Sequence, residues 1–267
     1  MSATSRTSKR AQAQDLMWEA MEVIADDEQQ AASACRRALE LYPDCVDALA
    51  MLANIETRWL KDFVAAMRSA VDAGRRDLGP KCFKVDKGHF WGLIETRPFM
   101  RAMAQLVTAL LDWGTPERVE EATTLMEEML DLNPNDNQGM RDWLGACYVA
   151  QRRYDDAEAL LLRYPDDWLA APAWTRVLLV FATDGKERAT ELLVEARKRN
   201  RHVEKYLTGA KRLPRARAGG YSPGDENEAV YCADMLRPVC KAHPKAKNWL
   251  KGMSEADGAG ESRPRLH

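Results

Sequence analysis

Apolar residues return every three or four positions along almost the whole chain, and they do so in blocks that resemble one another. That period belongs to helices with one buried stripe. Strand-like alternation is absent, and no hairpin dipeptide lies between β-branched runs. The chain is therefore expected to be all-α. In one block Ala31, Ala38 and Pro43 take small, small and proline positions, and the next turn restarts as DALAMLANIE, with Leu49, Leu52 and Ala53 at bulky, bulky and small positions. A second block ends MEEMLDLNPNDN, with Ala122 and Pro134 at comparable places. A third, GMRDWLGACYVAQRRYDDAEALL, carries Leu144, Gly145, Tyr148 and Ala157 at matching spacings. A fourth and looser one opens with Trp174 in APAWTRVLLVFATDG.

The residue types have a physical reason. Small residues let two helices of a unit approach closely. The proline ends the second helix, because it lacks an N–H and its ring clashes with the preceding turn. One such unit cannot bury its apolar face alone, so neighbours must stack. The pattern resembles the tetratricopeptide repeat, a helix-turn-helix unit of about 34 residues. That resemblance implies antiparallel helix pairs stacked into a right-handed α-solenoid.

A narrower resemblance rests on ALELYPDCVDALAMLA, GHFWGLIETRPFMRA, LNPNDNQGMR, HVEKYL and YSPGDENEAVYCA, in that order. As a set they look like a bacterial group of tetratricopeptide-repeat proteins similar to the suppressor-of-tumorigenicity-seven family. The likeness runs roughly from Ala11 to Leu250 and implies a helical scaffold without catalytic residues. The chain departs from it in two places. The expected asparagine-proline after the fourth unit is Asn200-Arg201, and a tryptophan expected near Pro238 is missing, although Trp249 is present.

The repeat pattern sets the organisation. Residues 1–11 are expected to be a disordered tail, 12–251 one helical array, and 252–267, rich in Gly, Ser and charge, a second disordered tail. Two connectors interrupt the array: RRDLGPKCFKVDKGHFWGLIE, and LPRARAGGYSPGDEN between the fourth unit and the last helix. With 46% hydrophobic and 30% charged residues over 267 positions, a core and a solvated exterior are both available. A net charge of −2 gives no global attraction to nucleic acid or anionic membrane. No apolar run approaches the ~20 residues that span a bilayer. The opening MSATSRTSKR lacks the apolar segment of a secretory signal, with a mitochondrial-type presequence as the alternative to a frayed end. Six scattered cysteines without a C-x-x-C pair read as free thiols in a reducing compartment, so a cytoplasmic location is expected.

The stretch KGHFWGLIETRPFMR, residues 87–101, has the composition of an active site. Yet Pro98 suits the first turn of a helix, where a missing N–H is tolerated. Downstream, Phe99, Met103, Leu106, Leu110 and Trp113 form one apolar stripe, while Arg97, Arg101, Gln105, Thr108 and Asp112 share a polar face. The segment is therefore expected to be a structural joint in which Phe90, Trp91 and Pro98 plug the gap between repeat blocks. A ligand-binding wall is the other reading. His89 has neither the partner nor the orienting group that a general base requires.

Other segments carry weaker signals. In LNPNDNQGMR, Asp136 or Asn137 can cap the next helix. The acidic run Glu117–Asp136 reads as a solvated face, or as a surface for a basic partner. Arg201–Gly220 holds six Lys/Arg and one Glu but lacks aromatics for base stacking. Cys232, Cys240 and His243 do not have a zinc-ligand spacing. GDENEA reads as a helix start capped by Asp225 or Asn227. No phosphate loop, nucleophile elbow or H-E-x-x-H is present.

The expected function is a non-catalytic scaffold holding a peptide or protein in its groove, without metal or cofactor. Asn54, Arg97, Arg101, Gln105, Asn137 and Arg141 are the expected peptide-binding residues, and the two arginines of 97–101 point to an acidic partner. A nucleic-acid-binding helical repeat, or an enzyme with an unrecognised site, is the alternative.

Overall fold

The computed structural model describes residues 3–215 and 219–261, with side chains for residues 9–215 and 219–254. Among the described residues every regular element is helical. The chain divides into two compact units, residues 1–140 and 141–267.

The first unit holds α1 (Ala3–Val23), α2 (Glu28–Leu41), α3 (Val46–Glu56), α4 (Leu60–Val85), α5 (Arg97–Trp113) and α6 (Pro116–Leu132). Each packs on the next, and α3 also touches α5. Alanine is what brings α1 and α2 together: Ala13, Ala20, Ala31, Ala34 and Ala38 are buried around Met17 and Cys35. Asp27 caps α2 by accepting from the Gln30 backbone N–H at 2.9 Å. The stripe read from the sequence on α5 is realised, with Phe99, Met103, Leu106 and Leu110 all buried. Pro98 sits in the first turn, as expected.

The first connector is mostly helix. Helix α4 continues to Val85 and is kinked at Gly79, whose φ of 69° lies outside the right-handed helical region. Pro80 follows, and proline disfavours a helical conformation in the residue before it. The kink carries Phe83 to the Phe90 and Phe99 rings, at 5.2 and 5.4 Å. The same helix meets α5 closely at Gly74, where an added Cβ would lie 2.6 Å from Phe99 Cδ2. Gly74→Ala is thus expected to destabilise this unit by about 1–3 kcal/mol through overpacking, although alanine favours helix. Urea unfolding of the variant checks this, and a stabilised protein would mean that the helices separate freely there.

The acidic helix α6 is not a bare solvated face. Arg68 forks onto Glu121 and Arg75 onto Glu128, with all four bonds at 2.6 Å. Both arginines lie on α4 and are spaced two turns apart, as their partners are on α6. Lys87 pairs with Asp131 at 2.7 Å. The basic partner of this helix is therefore largely in the same chain.

The second unit holds α7 (Met140–Ala150), α8 (Tyr154–Arg163), α9 (Ala170–Thr183), α10 (Lys186–Arg199), the short α11 (Val203–Thr208), α12 (Glu226–Ala242) and α13 (Pro244–Glu261). Trp174, Val177 and Leu178 of α9 are fully buried. Helix α9 packs against α8, α10, α12 and α13. Trp249 of α13 stacks on Phe181 of α9 at 4.9 Å. Asp225 caps α12 by accepting from the Glu228 N–H at 2.7 Å.

Helix α1 starts at Ala3 and α13 ends at Glu261, so helical backbone enters both segments expected as tails. Residues 1–2 and 262–267 of those segments lie outside the described residues.

Candidate functional site

The first helices of successive pairs, α3 and α5, lie side by side and are tied at two levels. Near the start of both helices, one Arg101 nitrogen donates to both Asp47 carboxylate oxygens, at 2.8 and 2.7 Å, and Asp47 is buried. Further along, the Asn54 side-chain amide donates to its own helix at Ala50 O (2.8 Å) and across to Gln105 Oε1 (2.9 Å). Both amide hydrogens of Asn54 are then used. Its carbonyl oxygen and the Gln105 amide nitrogen have no protein partner among the described residues. The pair thus presents one acceptor and one donor, the complement of a peptide unit.

These two residues line an open groove of about 370 Å3, together with Leu60, Phe63, Thr108 and Asp112. Ala104 and Ala109 keep the α5 side of the groove shallow. Leu60 is exposed, and Trp59, one residue earlier, is 75% exposed. Such exposure is unusual for a tryptophan, which normally buries most of its ring.

The arginines expected to bind a ligand are engaged within the unit. Arg97 Nε donates to the Trp91 carbonyl at 2.9 Å, and its guanidinium lies 5.8 Å from the Trp91 ring centre. Arg101 has Asp47 as its partner, not Glu95 or Asp112. Within the joint, Phe90 is fully buried and its N–H donates to Leu132 O at 3.2 Å. Thr96 is buried too, and its hydroxyl donates to the Phe90 and Leu93 carbonyls. Trp91 is only half-buried, and His89 is exposed. The plug is Phe90 with Phe83 and Phe99, while Trp91 serves as a rest for Arg97.

Asn137 is exposed and accepts from Asn133 Nδ2 at 3.3 Å. The cap at this turn is Asp136, in a left-handed conformation (φ 48°), which accepts from Met140 N at 2.7 Å. Arg141 belongs to the second unit. It bonds Asp167 at 2.6 and 2.8 Å and lies 5.1 Å from the Tyr164 ring centre, beside a small cavity of about 20 Å3 at Gly145 and Thr175. Asn54 and Gln105 are therefore brought together, whereas Arg97 and Arg101 are held in the α5 seam. Asp47, Leu60 and Phe63 were missed by the sequence reading. Only the tertiary packing reveals them, because Asp47 lies on α3 and Leu60 and Phe63 on the start of α4.

Burial pushes the thiols of Cys35, Cys45, Cys82 and Cys240 up to about 11 and that of Cys232 well above its ordinary value, so they stay protonated near neutrality. His243 Nε2 lies 2.9 Å from the Val149 carbonyl oxygen. Among the described residues no group of three His, Cys, Asp or Glu side chains is arranged to hold a metal. Among them, too, no helix is long and apolar enough to cross a membrane.

Comparison with known proteins agrees with this architecture. No curated protein matches the chain. Residues 116–174 match the tetratricopeptide-repeat family. Among solved structures, YrrB, described as "a TPR protein with an unusual peptide-binding site", superposes with a TM-score of 0.51 at 18% identity, covering 68% of this chain and 84% of YrrB. The fold is the tetratricopeptide-like helical repeat that the spacing of small residues and prolines predicts.

Proposed function

We propose that the protein is a non-catalytic interaction scaffold and that the groove between α3 and α5 holds an extended peptide segment. The observation that carries this reading is the Asn54–Gln105 pair, which leaves one acceptor and one donor beside the apolar wall of exposed Leu60 and half-buried Phe63. A peptide main chain satisfies both groups, and one apolar side chain covers the wall. YrrB, of the same fold, is described as binding peptide. The domain limits of 12–251 for the array, a cytoplasmic location and kinship with the suppressor-of-tumorigenicity-seven proteins belong to the same proposal.

The charge expected of the partner changes at this groove. Arg101 already neutralises a buried carboxylate, so an acidic ligand would have to displace Asp47 and leave it unpaired, at a cost of several kcal/mol. The ionised side chain lining the groove is Asp112. A neutral or basic residue fits beside it. The nucleic-acid alternative is weakened as well, because Lys205 and Lys211 both reach Glu226, at 3.8 and 2.6 Å. Arg217 of that basic segment lies outside the described residues.

The test is peptide selection from a displayed random library on the full chain, followed by affinity measurement on Asn54→Ala/Gln105→Ala. Two hydrogen bonds of about 0.5–1.5 kcal/mol each predict a loss of roughly tenfold or more. Both residues are accessible to solvent, so stability should change by less than about 1 kcal/mol. Selected peptides that bind the double variant equally well would move the site elsewhere.

A further inference from the structure

The second unit carries a different kind of depression, about 370 Å3, bounded by α11, α12, α13 and the segment after α11. Tyr206, Leu207 and Leu213 line it with apolar surface, and Tyr206 and Leu207 are buried. Its ionised lining is entirely cationic: Arg237, Lys241 and Lys247. Arg237 and Lys241 lie one turn apart on α12, and Lys247 comes from α13. Arg237 has only a long contact, 3.7 Å, to Asp234 of its own helix. Lys241 and Lys247 have no carboxylate partner among the described residues, although both are exposed. Elsewhere Arg68, Arg75, Arg101, Arg141 and Arg197 are each paired with a carboxylate.

We infer that this depression docks an acidic amphipathic helix from a partner protein, with one bulky apolar side chain seated on Tyr206 and Leu213 and carboxylates one turn apart meeting Arg237 and Lys241. The charge pattern argues for this occupant. Three cations surround an apolar floor with no carboxylate among the lining residues. Residues four apart on a helix lie on the same face, so two carboxylates at that spacing can follow the Arg237–Lys241 stripe. Lys247 is contributed by α13. An anionic membrane fits less well, because a membrane-seeking surface projects its apolar groups, and here Tyr206 and Leu207 are recessed below the cations. Single-stranded nucleic acid needs open aromatic faces, and Tyr206 is only 8% exposed. This site is separate from the α3–α5 groove and does not depend on it.

The probe is a fluorescent, acetylated fifteen-residue helical peptide with glutamates four residues apart flanking a leucine. A control peptide replaces the glutamates by glutamine, and a second replaces the leucine by alanine. The full-length protein is titrated by fluorescence anisotropy as wild type and as Lys241→Glu/Lys247→Glu. Both lysines are exposed, so the variant should fold, and circular dichroism verifies it. The expected result is binding of the acidic peptide that weakens at least tenfold in the variant, in the glutamine control and in the alanine control, and that falls as salt rises. Equal binding by variant and wild type would overturn the proposal. So would equal binding of the glutamine peptide, no binding of the acidic peptide at all, or binding only to vesicles containing phosphatidylserine.

Discussion

Phe99→Ala is expected to destabilise the 1–140 unit by about 3–5 kcal/mol, the range for removing a buried large aromatic. Phe99 is 1% exposed. Its ring meets Phe83 edge-on at 5.4 Å and Phe90 at 6.3 Å, and Arg75 lies 5.4 Å from its centre. It also fills the close approach to Gly74. Truncation removes those contacts together and leaves a cavity that three helical segments cannot readily close. Trp91→Ala is the control. Trp91 is half-exposed, so its loss should cost about 1 kcal/mol, mainly through Arg97. Urea unfolding monitored by circular dichroism separates the two. Equal effects would place the plug at Trp91 instead.

Glu228→Ala is expected to cost the second unit about 3 kcal/mol or more. Glu228 is 3% exposed, and its carboxylate accepts from Ala170 N at 3.0 Å, Asn200 Nδ2 at 2.9 Å and Gly224 N at 2.6 Å. One side chain on α12 thereby binds the start of α9, the end of α10 and the loop before α12. Alanine leaves three donors without an acceptor, at about 1–3 kcal/mol for each that water cannot reach. Glu228→Gln should be milder but still destabilising, because its NH2 must face one of those N–H donors. Hydrogen exchange should show protection lost first at Ala170 and Gly224. Wild-type protection in the alanine variant would mean that water replaces the carboxylate.

The local pattern was legible wherever one residue type has one physical use. Pro98, the stripe of α5 and the Asp225 cap could each be read from spacing, because they depend on neighbours within a turn or two. The joint was read as Phe90, Trp91 and Pro98, and the structure buries Phe90 fully while leaving Trp91 half-exposed. Phe90 and Trp91 are adjacent and both aromatic, and it is Phe90 that meets the Phe83 and Phe99 rings. The partners of the arginine stripe were not legible for a similar reason. Spacing places Arg101 on a polar face, but its partner Asp47 comes from fifty-four positions away. Asn200 shows the opposite case: it stood out as half of a missing asparagine-proline pair, and the structure keeps the asparagine's work. Its amide holds Glu228 and the Asp225 carbonyl, and its own carbonyl oxygen accepts from His202 N.

The central claim is that a peptide occupies the groove between α3 and α5. It is tested most directly by NMR on isotopically labelled full-length protein titrated with a library-selected peptide. The account predicts shifts concentrated at the Asn54 and Gln105 side-chain amides and at the backbone amides of Leu60, Phe63, Thr108 and Asp112, with the Arg101–Asp47 seam little changed. Saturable shifts confined to α7–α13, with Asn54 and Gln105 unmoved, would contradict it.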